Sequence, residues 1–121
     1  MRAPSKITIR KDCRSLRLQY GETCFELAAE YLRVFSPSAE VQGHGPGQEV
    51  LVTNKTEVKI HDIQAQGNYA IRIGFDDSHD SGIYTWSYLF ELGEQYKRNW
   101  ADYLERCRIN SEGLSTLKWQ N

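Results

Sequence analysis

The chain has no apolar run approaching the roughly 20 residues that a membrane-spanning helix needs. It also lacks an excess of charge. Its 15 Lys and Arg face 16 Asp and Glu, for a formal net charge of −1. A chain this close to neutrality has no overall field to draw in nucleic acid or an anionic membrane. The opening Met1-Arg2-Ala3-Pro4-Ser5-Lys6 is positive but has no apolar stretch long enough for a signal peptide. No GxxxxGK(S/T) run is present, which excludes a P-loop nucleotide site. These absences point to a cytoplasmic protein with neither nucleic acid nor membrane as partner.

Cysteine is sparse and badly spaced for metal. Cys13, Cys24 and Cys107 form no CxxC pair, and an odd number cannot pair completely. They are expected to be free thiols. Cys24 falls at a strand position and is expected to be a small core hydrophobe. Cys107 falls on a charged helix and is expected to be partly exposed. None has an adjacent His or Lys to activate a thiolate.

What is present reads as one unit written twice. Leu16-Arg17-Leu18-Gln19-Tyr20 is answered by Ile71-Arg72-Ile73-Gly74-Phe75. Both alternate apolar and polar residues and end in an aromatic, the pattern of a half-buried strand. Each is followed by a polar turn, Gly21-Glu22 or Asp76 to Asp80. Each then has a short apolar strand, Cys24 to Leu27 or Gly82 to Tyr84, and an aromatic helical stretch, Ala28 to Phe35 or Trp86 to Leu92. Tyr31-Leu32 matches Tyr88-Leu89, and the preceding strands Lys6 to Arg10 and Val58 to Gln64 also correspond.

At 121 residues, with 40% apolar and 26% charged residues, this is one soluble-type domain. The expected fold is α+β. Small antiparallel sheets come from the duplicated strand-strand-strand-helix unit, and a C-terminal amphipathic helix covers one side. Tyr96, Trp100, Tyr103, Leu104 and Cys107 recur at helical spacing in Glu94 to Arg108. Thr85 reads as an N-cap, Gly93 as a helix stop or bend, and Gly67-Asn68 as a turn. The expected boundaries are a frayed N-terminus over 1–5, one domain over 6–108 and a flexible tail over 109–121.

The least regular part is Ser36 to Thr56. Gln42-Gly43-His44-Gly45-Pro46-Gly47-Gln48 holds three glycines and a proline in seven positions and cannot be a helix or a central strand. Long irregular loops in small domains are often functional or disordered.

Two stretches carry a family resemblance. Leu32-Arg33-Val34-Phe35-Ser36-Pro37-Ser38-Ala39-Glu40-Val41-Gln42-Gly43-His44-Gly45 and Phe75-Asp76-Asp77-Ser78-His79-Asp80-Ser81-Gly82-Ile83-Tyr84-Thr85-Trp86 resemble the gamma-butyrobetaine hydroxylase-like N-terminal domain family, over about residues 6–106. The resemblance implies a domain long catalogued as of unknown function. In eukaryotic carnitine-biosynthesis hydroxylases it precedes an oxygenase barrel. In bacteria it stands alone or is fused to iron-sulfur carrier ATPases. In the eukaryotic members, a structural zinc is held by three cysteines after a Leu-Arg pair and by a later histidine. Carried over residue by residue, the pair matches Leu32-Arg33, the cysteine positions fall at Ser36, Ser38 and Val41, and the histidine matches His79. Serine hydroxyls are poor zinc ligands. The loop is therefore expected to stand without metal, held by Gly and Pro geometry and by hydrogen bonds from Ser36 and Ser38.

Two histidines remain open in the sequence. His44, between glycines that allow a partner close approach, reads as a ligand or base, or as a water-exposed turn residue. His79 among Asp76, Asp77 and Asp80 reads as a metal or general-base cluster, or as a solvated turn. An iron or zinc site needs His44 and His79 to meet near Asp77, Asp80 or Glu40. The aromatic group Tyr84, Trp86, Tyr88, Phe90, Tyr96 and Trp100 reads as core. No nucleophile-base pair or cofactor motif is visible. The leading expectation is a non-catalytic accessory or protein-interaction domain of iron-sulfur or oxygenase systems. Its binding loop comprises Arg33, Ser36, Pro37, Ser38, Glu40, Gly43, His44, Gly45, Pro46, Gly47 and Gln48, and no cofactor is expected. The alternative is an iron- or zinc-binding protein using His44 and His79.

Overall fold

A computed structural model describes residues 1–42 and 50–119, with side chains to residue 111. The elements follow the duplicated pattern. Strands β1 (Lys6–Ile9), β2 (Ser15–Tyr20) and β3 (Thr23–Ala28) lead into helix α1 (Ala29–Val34) and a one-turn helix α2 (Ala39–Gln42). Strands β4 (Ile60–Gln66), β5 (Ala70–Phe75) and β6 (Gly82–Thr85) lead into helices α3 (Trp86–Glu94) and α4 (Tyr96–Trp119). Each set of three strands forms its own antiparallel meander, in the order β1-β2-β3 and β4-β5-β6. The expected α+β fold of small antiparallel sheets with a C-terminal helix is therefore present.

Strand alternation decides which residues are inside. In β2, Leu16 and Leu18 are fully buried and Arg17 is exposed between them. Tyr20 pairs with Thr23, so Gly21-Glu22 is a two-residue hairpin loop, and Gly21 takes the left-handed φ of +60° that such a loop needs. The β4-β5 loop is one residue longer than Gly67-Asn68 alone, because Gln66 pairs with Ala70. Between Ile60 and Asp62 the β4 register slips, so His61 is an extra residue in a bulge.

Neither sheet is self-sufficient. Leu16, Leu18 and Leu27 of the first sheet and Ile60, Ile71, Ile73 and Phe75 of the second lie in a single core with Leu32, Tyr84 and Leu89. Main-chain and aromatic contacts cross between the copies. The Ile60 N–H donates to the Cys13 carbonyl at 2.7 Å. The Phe25 and Phe90 rings meet edge to face at 5.3 Å.

The two helices that follow the sheets are locked reciprocally. The Tyr31 hydroxyl of α1 donates to the Leu92 carbonyl in α3 at 2.7 Å. The Tyr88 hydroxyl of α3 donates to the Phe35 carbonyl, just past α1, at 2.5 Å. Tyr31 and Tyr88 are matching positions of the repeat, and each acceptor lies four residues after the other copy's tyrosine. The last-turn carbonyls of a helix have no partner within it, so each copy caps the other.

Several sequence expectations meet the structure directly. Thr85 caps α3, its Oγ1 accepting from the Tyr88 N–H at 3.2 Å. The chain bends at Gln95, immediately after Gly93-Glu94. Helix α4 runs past Arg108 to Trp119. Tyr96, Trp100 and Tyr103 stack along it, and Tyr31 packs edge-on to Tyr96 and Trp100. Cys24 is a correction: it is exposed, not a core residue. Phe25 and Leu27 take the inward positions of β3, so Cys24 and Glu26 point outward. The Cys24 sulfur accepts from Arg17 Nε at 3.1 Å. Among the described residues no helix is long and apolar enough to cross a membrane.

The reciprocal tyrosines can be tested by deleting one hydroxyl at a time. Tyr31→Phe and Tyr88→Phe each leave a carbonyl without its donor. Each should lower unfolding free energy by about 1–3 kcal/mol in urea titrations. Tyr31→Phe should cost more, because its hydroxyl also accepts from Asn99 Nδ2 at 3.0 Å.

Candidate functional site

The stretch after α1 and the turn after β5 meet, which brings Ser36, Ser38, Glu40 and His79 into one cluster. His79 is only 5% exposed. Its Nε2 lies 2.9 Å from Ser36 Oγ and 3.4 Å from Ser38 Oγ. On the other side of the ring, Nδ1 lies 3.3 Å from Glu40 Oε2. Ser36 is fully buried, and its Oγ also accepts from the Ser38 N–H at 3.3 Å. A neutral ring protonated on Nδ1 satisfies the two shorter contacts, those with Ser36 and Glu40. Ser36 then donates to Nε2, and Nδ1–H donates to Glu40.

The turn that presents His79 is over-determined. The Phe75 N–H donates to the His79 carbonyl at 2.9 Å, and the Ser78 N–H to the Phe75 carbonyl at 3.2 Å. Ser78 is held at φ 72°, a conformation that L-residues other than Asn and Asp adopt reluctantly. The His79 N–H donates to Asp77 Oδ1 at 3.2 Å. Opposite, Gly82 provides the clearance for Ser36: a Cβ there would lie 2.5 Å from Ser36 Oγ.

An ion-pair knot braces the cluster. Asp77 Oδ2 takes Arg33 Nε at 2.8 Å and Lys55 Nζ at 2.7 Å. Burial alone would raise the Asp77 pKa, but the hydrogen bonds from Lys55 and Arg33 outweigh it and hold the carboxyl at about 2. The His79 pKa is lowered, first by burial and then by the Arg33 guanidinium, against the opposing pull of Glu40 and Asp77. Among the described residues, Arg33 Nη1 is buried without a hydrogen-bond partner.

His79 is not in a solvated turn, and of the acidic residues beside it in sequence only Asp77 touches it, through the His79 N–H. Asp76 Oδ1 accepts from the Lys59 N–H, and Asp80 pairs with Arg72. Among the described residues, no group of three or more His, Cys, Asp and Glu is placed to hold a metal ion. Of the expected binding loop, Arg33, Ser36, Pro37, Ser38 and Glu40 are described. Arg33, Ser36 and Ser38 are turned inward and committed to other residues. Gly43, His44, Gly45, Pro46, Gly47 and Gln48 lie outside the described residues, so the meeting of His44 with His79 does too. Lys55 was missed: nothing near it in sequence marks it as a partner of Asp77.

Ser36, His79 and Glu40 stand in the order of a nucleophile, a base and an orienting carboxylate. Ser36 is fully buried, with its hydroxyl turned to His79 and away from solvent. The arrangement holds two segments together.

One concave surface lies next to the cluster. A groove of about 280 Å³ runs between Val34, Phe35, Val41 and Gln42 on one side and Tyr88, Leu92, Asn99, Tyr103 and Arg106 of α3 and α4 on the other. Val50, Leu51 and Val52 close its remaining wall, and the Tyr103 hydroxyl holds the Val52 carbonyl at 2.7 Å. The Gln42 side chain donates to the Ser36 carbonyl at 3.1 Å, which ties the groove wall to the cluster. No single stretch of sequence marks this groove, because its walls come from four separate segments.

The gamma-butyrobetaine hydroxylase-like N-terminal family model matches residues 7–90. The chain belongs to that family. Three solved structures are similar. One solution NMR structure is 48% identical, with TM-score 0.77, over 93% of this chain and 88% of its own. A second solution NMR structure is 39% identical, with TM-score 0.78, over 92% of this chain and 83% of its own. The third is the crystal structure of a DUF971-family protein of unknown function from Acidithiobacillus ferrooxidans. It is 30% identical, with TM-score 0.61, over 74% of this chain and 91% of its own. No curated protein matches the chain. The family's zinc-ligand positions here hold two hydroxyls, one valine and one imidazole, a donor set that does not suit zinc.

The Asp77 pKa sets an acid limit. Its folded value lies below the unfolded value of 3.8, so the stability it contributes is present above that pH and lost as pH falls toward about 2. His79 acts in the same direction from higher pH, because its folded pKa is lowered from 6.5 and the neutral ring favours the fold. Urea titrations from pH 7 to pH 2 should show stability falling with acid. In Asp77→Asn, stability should be lower at pH 7 and the fall below pH 4 shallower. A fall of equal steepness in the mutant would contradict the assignment.

Proposed function

We propose that this domain is a non-catalytic protein-interaction module that seats a segment of a partner in the groove between residues 34–42, residues 50–52 and helices α3 and α4. The observation that carries this reading is the groove itself. It has an apolar floor of Val34, Val41, Leu92 and Tyr103, each less than a tenth exposed. Its polar rim is made of Gln42, Glu91, Asn99 and Arg106. An apolar slot with a few polar groups at its edge suits an extended peptide that anchors one side chain and pairs its backbone or charges at the rim. Val50, at 51% exposure, extends the apolar surface beyond the slot. The family's fusions make iron-sulfur and oxygenase enzymes the first partners to try.

The test is site-directed photo-crosslinking in cells. A crosslinking residue at Gln42, on the groove rim, is compared with one at Lys6, on the outer face of the first sheet. A discrete adduct from position 42 and none from position 6 is expected. With the partner identified and purified, Arg106→Glu and Val52→Asp should each weaken binding at least about tenfold, or about 1.4 kcal/mol. Adducts of equal yield from both positions, or unchanged affinity in both variants, would refute the reading.

A further inference from the structure

We infer that Ser36, Ser38 and His79 form a metal-free clasp, standing where the family resemblance places a metal cross-link, and that the fold closes without any metal ion. The first argument is distance. Ligand atoms around a tetrahedral ion with bonds of about 2.0–2.3 Å stand about 3.3–3.8 Å apart. Ser36 Oγ and His79 Nε2 are 2.9 Å apart, a direct hydrogen bond shorter than that spacing, although Ser38 Oγ, at 3.4 Å from Nε2, falls within it.

The second argument is that the lone pairs are in use. The Nε2 lone pair receives the Ser36 hydroxyl proton, and Nδ1 is turned to Glu40 at 3.3 Å. Ser36 Oγ is further held by the Ser38 N–H at 3.3 Å and confined by Gly82. The third is the donor set. Two neutral hydroxyls bring no charge to offset a dication, and Val41 brings no donor atom to the fourth position. Val41 is instead buried, as part of the groove floor.

The clasp does mechanically what a metal would do. It joins Ser36 to His79, residues 43 apart in sequence, and through Gln42 it fixes one wall of the groove. It differs in having no dependence on metal supply. Its members were readable as separate residues, but their mutual arrangement is a property of the folded chain.

The experiment is thermal unfolding of tag-free wild-type protein with EDTA, with no addition and with added zinc, beside elemental analysis and the variant His79→Ala. Metal content far below one ion per chain is expected, with one Tm under all three conditions. His79→Ala should lower Tm by several degrees, by the same amount with and without chelator. If His79→Ala does not fold, Ser38→Ala removes the longer contact and reads the same link. One zinc or iron per chain whose removal lowers the wild-type Tm would overturn the inference. So would variants as stable as wild type.

Discussion

A three-stranded antiparallel sheet has too little area to form a core alone, and this protein has two of them. Each buries one face only because the other supplies the opposing layer. Leu16 and Leu18 share one core with Ile71, Ile73 and Phe75. Mutual burial is therefore the constraint from which the rest follows. The exchanged hydroxyls of Tyr31 and Tyr88 serve the same end with hydrogen bonds. Each copy completes the other's unfinished helix end, so neither half can be expected to stand by itself.

That constraint explains where irregular backbone is permitted. The copies meet through strands and helices, and the segment after α1 and the turn after β5 come together at Ser36 and His79. Two loops so placed need a link if they are to present a defined surface. The Ser36-His79 contact and the Arg33-Asp77-Lys55 knot provide it, with polar groups that are mostly satisfied by one another. Buried polar clusters of this kind cost desolvation and repay it in definition of geometry, so they specify one arrangement more than they add stability.

The fold was largely legible because period-two alternation and the internal repeat are local signals. Leu16-Arg17-Leu18 and Ile71-Arg72-Ile73 announce their faces without reference to anything distant. Cys24 misled because alternation has two phases and an isolated apolar residue does not reveal its own. Only Phe25 and Leu27, both more apolar, determine which side of β3 is inside. The site was half legible. His79, Ser36 and Ser38 stood out through resemblance, but burial, Lys55 and the groove depend on contacts between segments far apart in sequence. No window along the chain contains them.

Hydroxyls at the positions that the resemblance gives to metal ligands change what kind of cross-link this part of the fold can use. Thiolates around zinc supply strong, charge-compensated bonds. Serine at the same places leaves an imidazole that must find hydrogen bonds or carry an unpaired buried nitrogen. Here each ring nitrogen faces a partner, and Gly82 leaves room for Ser36 to approach. These fitted partners link the two loops. The groove wall formed by Val41 and Gln42 lies directly on that link, which is where a surface needing a fixed shape would require it.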